Sequence, residues 1–111
     1  MKQSTDINVM DAWLQKPIHF AACCESPEPL KLLLEKGASV FDLNNYKKSP
    51  LHFAAITGRA ENITVILKNQ RNVFKLRDKN NLTPFTYALQ RGDIAPIKAF
   101  LDSGVVKING G

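Results

Sequence analysis

A self-repeat constrains this chain more than any other feature. Pro17-Ile18-His19-Phe20-Ala21 recurs as Pro50-Leu51-His52-Phe53-Ala54, and again, altered, as Pro84-Phe85-Thr86-Tyr87-Ala88. The three prolines are spaced by 33 and 34 residues. A second block follows each one: Leu30 with Leu33 and Leu34, then Ile63 with Ile66 and Leu67, then Ile97 with Phe100 and Leu101. A third block closes the units at Gly37-Ala38, Gln70-Arg71 and Gly104-Val105. Periods of this length are the mark of stacked supersecondary units, each too small to bury its own apolar face. A chain of 111 residues holds about three of them.

Each unit can be read locally. Proline suits the first helical turn, where its missing N–H is not needed, and Ser49 or Thr83 before it can cap. The first helix should run about eight residues and stop near Gly58 or Gly92, residues able to take the left-handed conformation. The second helix should start near Pro27, Ala60 and Ile94, with apolar residues three and four apart forming one stripe. Leu30, Leu33, Leu34, Ile63, Ile66 and Leu67 are expected in the core, as are Phe20 and Phe53. An extended stretch with Val40-Phe41 or Val73-Phe74 should follow, then a polar turn.

Leu, Ile, Val and Phe make up 32 of the 111 residues, enough for a folded core. No apolar run reaches the ~18 residues of a membrane span. Two adjacent cysteines, Cys23 and Cys24, are too few for a disulfide scaffold, so a reducing, cytoplasmic setting is expected. The net charge of +5 is uneven. Residues 68–79 carry Lys68, Arg71, Lys75, Arg77 and Lys79 against only Asp78. A nucleophile–base pair from Cys23 and His19 is disfavoured, because His52 occupies the matching place in the second unit while Ile56 stands where Cys23 does. A zinc site from the same residues lacks ligand spacing. No phosphate loop or catalytic motif is present. The reading is a non-enzyme with no cofactor and no metal.

These residues resemble ankyrin repeats, whose pattern opens Asp-x-x-Gly-x-Thr-Pro-Leu-His-x-Ala-Ala. The middle unit reads Asn44 through Lys48-Ser49-Pro50-Leu51-His52-Phe53-Ala54-Ala55, and the first matches the second-helix pattern at Leu30 through Ala38. The resemblance implies an all-α repeat solenoid of helix–turn–helix units with β-hairpin-like fingers. It divides the chain, one domain over 1–111, into repeats at 6–43, 44–77 and 78–111. The turn glycine is replaced by Leu14, Lys47 and Asn81, and Gln70 stands where a helix-ending glycine is usual, so the segment near 70–82 should be the least regular.

The resemblance also implies a monomeric protein-binding module, meeting its partner on the fingertips and the concave ends of the first helices. Matching position by position gives Trp13 and Gln15, then Asn45, Tyr46, Lys48, Ile56 and Thr57, then Arg77, Lys79, Asn80, Leu82, Gln90 and Arg91. The basic second finger suits an acidic or phosphorylated protein partner. Alternatives are a structural spacer within a larger protein, or weak binding of nucleic acid or an anionic surface; the latter is unfavoured because the cations are not interleaved with stacking aromatics. No membrane insertion is expected.

Overall fold

The computed structural model describes residues 15–106. Three helix pairs follow one another: α1 (Pro17–Ala21) with α2 (Glu28–Glu35), α3 (Pro50–Thr57) with α4 (Ala60–Asn69), and α5 (Pro84–Arg91) with α6 (Ile94–Ser103). First helices stack on first helices and second on second: α1 lies against α3 and α3 against α5, while α2 lies against α4 and α4 against α6. The array is an all-helical repeat solenoid, and no strand occurs among the described residues.

Local chemistry sets the helix ends. Proline opens α1, α3 and α5 in the first turn. Ser49 and Thr83 accept the N–H of His52 and Thr86 respectively, capping α3 and α5. Gly58, Gly92 and Gly104 end α3, α5 and α6 in the left-handed region.

The core runs through all three pairs. Ile18, Leu30, Leu51, Ile63, Ile66 and Phe100 are fully buried, and each such side chain contributes about 1.5–3 kcal/mol of burial. Leu67 is also buried, whereas Leu33, Leu34 and Ile97 are half-buried and pack against the core.

Three expectations are corrected. The stretch holding Val73-Phe74 is not extended; Arg71–Lys75 forms a 3-10 helix. Gln70 ends α4 in an extended rather than left-handed conformation, so the chain leaves the helix differently and tightens into a short turn that buries Val73. The two described fingers are tight, hairpin-like turns, each closed at its base by a backbone bond from the Asn44 N–H to the Lys48 carbonyl at 3.0 Å or from the Asp78 N–H to the Leu82 carbonyl at 2.9 Å. Helix α1 stops after five residues rather than eight. There the carbonyls of Ala21, Ala22 and Cys24 accept hydrogen bonds from the Asn62 amide, and that of Cys23 accepts from Arg59. The next repeat thus satisfies carbonyls at a helix end that has no glycine stop to pair them within its own chain segment.

Phe20 is the third correction: its side chain is 53% exposed. The reason lies in the stacking. Phe53 sits edge-on to His19 of the preceding pair, centroids 5.6 Å apart, and Tyr87 sits the same way on His52 at 6.0 Å. Phe20 holds the same register but meets no such ring among the described residues.

Candidate binding surface

Histidines hold each finger to the preceding helix pair. The Nδ1 of His52 accepts the Ser49 N–H at 3.0 Å. That nitrogen therefore carries no proton, and Nε2 donates to the Leu82 carbonyl at 3.0 Å. His19 repeats the arrangement, accepting from the Lys16 N–H at 2.9 Å and reaching the Asp42 carbonyl at 2.9 Å. Burial lowers both histidine pKa values, outweighing the carbonyl contacts that raise them. With both ring nitrogens engaged, neither histidine is available as a base. Burial also raises the Cys23 thiol pKa, and its Sγ contacts the His19 carbonyl at 3.6 Å rather than the ring. Thr86, in the third unit, meets the Thr83 hydroxyl locally and makes no equivalent reach among the described residues.

Each fingertip is built on one buried polar residue. The Asn44 side-chain oxygen accepts the N–H groups of Tyr46 and Lys48, at 2.8 and 2.9 Å. One carboxylate oxygen of Asp78 accepts those of Asn80 and Leu82, at 2.9 and 3.0 Å. Its other oxygen accepts from the Tyr87 hydroxyl and pairs with Lys48 at 3.1 Å. Burial pushes the Asp78 carboxyl up, but the Tyr87, Leu82 and Lys48 contacts outweigh it and hold the pKa at about 2. The two tips are joined directly, the Lys79 N–H donating to the Tyr46 carbonyl at 2.9 Å.

The sequence-derived surface residues sort by how much of each this framework uses. Asn45, Tyr46, Lys79 and Asn80 are exposed at the joined tips. Gln90 is exposed at the end of α5. Lys48 is largely committed: besides Asp78, its ammonium lies 5.8 Å from the Tyr46 ring centroid and 5.5 Å from that of Tyr87. Arg77 is exposed and donates to the Asn81 carbonyl at 3.2 Å. Leu82 is half-buried and lends its carbonyl to His52.

Gln15 accepts from the Asn44 amide at 3.2 Å. Ile56 and Thr57 are half-buried at the end of α3, where the Thr57 hydroxyl donates to the Phe53 carbonyl. Arg91 lies across Gly58, donates to the Ile56 carbonyl at 3.1 Å and pairs with Asp93. A Cβ at Gly58 would strike the Arg91 guanidinium. Trp13 lies outside the described residues.

Sequence reasoning missed the ties between repeats made by Asn62, Arg59 and Arg91. They are polar residues at positions that differ between the units, so the repeat pattern carries no signal for them. Asp78 counted as one acid diluting a basic finger; the matching place of Asn44 was the available clue that it faces inward.

Among the described residues no group of three or more His, Cys, Asp or Glu could hold a metal ion. No described helix is long and apolar enough to cross a membrane. None of the curated proteins compared with the chain matches it. A family model described as ankyrin repeats, in three copies, matches residues 1–75. That stretch ends within the 3-10 helix, before the third helix pair, where Thr86 replaces the histidine and Leu89 replaces the buried Ala22 and Ala55 of the earlier units. The stacked helix pairs, the proline-opened first helices with their finger-reaching histidines, and this match place the chain in the ankyrin-repeat family, whose members are in general non-catalytic protein-interaction modules.

Proposed function

We propose that this protein is a non-catalytic binding module that takes an acidic or phosphorylated protein partner on its joined fingertips and along the exposed ends of its first helices. The observation that carries this reading is the construction of the tips. Asn44 and Asp78 absorb the turn N–H groups, and the Lys79–Tyr46 backbone bond ties one tip to the next. Tyr46, Asn45, Lys79 and Asn80 therefore project from a rigid base, and a preorganised surface loses little conformational freedom on binding. Tyr46 is 47% exposed, a tyrosine in the setting where interface anchors concentrate.

Charge supports the chemistry of the partner. Asp78 is buried and neutralised by Lys48, so the exposed side chains of residues 75–80, which include Lys75, Arg77 and Lys79, include no acid. Such a surface chiefly speeds association and selects among partners. The two unpaired cysteines favour a reducing compartment such as the cytoplasm.

The test is affinity capture from cell lysate with the wild-type chain beside a Tyr46→Ala, Lys79→Glu variant whose helicity is checked by circular dichroism. A protein retained by the wild type and lost from the folded variant is the expected result. Identical captures from the two would reject the fingertip surface.

A further inference from the structure

The faces made by the second helices take no part in the fingertip reading, yet they carry a groove. Between α4 and α6 lies a cavity of about 350 Å³, with Leu67 and Ala99 among its apolar lining. Lys68, Arg71, Thr64 and Asp102 also line it. Lys68 is exposed and forms no ion pair among the described residues. Arg71 donates one N–H to the Ser103 carbonyl at 2.8 Å and so answers the exposed carbonyl end of α6. Arg71 forms no ion pair among the described residues.

We propose that this groove is a second docking surface, separate from the fingertips, for an acidic peptide segment carrying one bulky apolar side chain. The apolar side chain enters between Leu67 and Ala99, and the flanking carboxylates meet Lys68 and Arg71. Charge complementarity selects this occupant. The cations continue from the groove into the adjoining 3-10 helix through Lys75, while the segment's one acid, Asp78, is turned inward and paired. Asp102 is the opposing charge on the rim, and it sets a limit on how many carboxylates the groove accepts. The neighbouring groove between α2 and α4 shares Lys68 and adds Lys31 and Glu35, so it too sets two cations against one acid. What the α6 side adds is the guanidinium of Arg71, with further cations following in the 3-10 helix.

The probe is an array of synthetic fluorescent peptides in which a single Leu, Ile, Phe or Met is flanked by glutamates, read by anisotropy against the full chain. At least one member binds. Replacing its apolar residue by Ser, or its glutamates by Gln, removes the binding. Lys68→Glu weakens it about tenfold or more through like-charge opposition, Asp102→Asn tightens it, and Tyr46→Ala leaves it unchanged. Lys68 and Asp102 are exposed, so circular dichroism should show both variants folded. Binding by no member of the array would overturn the proposal. So would indifference to both Lys68→Glu and Asp102→Asn, or loss on Tyr46→Ala. Because Tyr46→Ala separates the two surfaces, failure here leaves the fingertip reading standing.

Discussion

Lys47 and Asn81 sit with φ of 61° and 66°, the two non-glycine residues in the left-handed region among the described residues. Both stand where the resemblance places a glycine, and both close a fingertip turn. The Asn81 N–H donates to the Asp78 carbonyl as the Lys47 N–H does to that of Asn44, at 2.8 and 3.0 Å. Asparagine visits this region more easily than lysine does. Lys47→Gly should therefore stabilise the protein by about 0.5–1 kcal/mol, the relieved strain exceeding the entropy that glycine adds to the unfolded chain. Asn81→Gly should gain less. Urea unfolding midpoints of the two variants check this, and a loss of stability in Lys47→Gly would contradict it. The positions were legible as departures from a repeating pattern. The positive φ at each was readable too, because the same turn must be closed in every unit.

At the scale of elements, short helices are held as much by the neighbouring repeat as by their own bonds. Helix α1 ends with its carbonyls in the grip of Asn62, a fully buried residue of α4. Asn62→Ala should cost about 1–3 kcal/mol, because the carbonyls it serves lose a buried donor. Asn62→Asp should cost more: it replaces the donor by an acceptor facing those carbonyls, and the Asn62 Oδ1 already has no hydrogen-bond partner among the described residues. Thermal unfolding of the two variants beside the wild type measures the order. Helix starts were legible, since proline and the Ser or Thr before it act within one turn. The early stop of α1 was not, because a residue about forty positions away decides it. The 3-10 helix after α4 was legible only as an irregularity at Gln70, where the glycine exit is missing.

For the molecule as a whole, acid should act on the junctions between repeats. His19 and His52 have folded pKa values below the ordinary 6.5, so the unfolded chain binds protons first and stability falls as pH drops below about 6.5. Protonation also ends the acceptor role of each Nδ1. Asp78, at about 2 against 3.8 unfolded, adds a second loss between roughly pH 4 and pH 2, worth about 2 kcal/mol. The two losses have the same sign, so unfolding free energy measured by urea should decline in two stages on acidification. His52→Gln should remove much of the first stage, and an unchanged profile in that variant would contradict its assignment to the histidine junctions. The repeat period, the two helices of each unit and the stripe that faces the core were determined by sequence alone. Proline, glycine and apolar spacing act over a few residues; the proline and the apolar spacing recur in three units and each glycine stop in two. Tertiary structure decided which polar residues remain free for a partner. It turned Asp78 inward and committed Lys48 and Arg91 to neighbouring repeats while leaving Tyr46 and Lys68 exposed. Those outcomes depend on contacts between units a full period apart, where the geometry of stacking, and not local chemistry, determines which donor meets which acceptor.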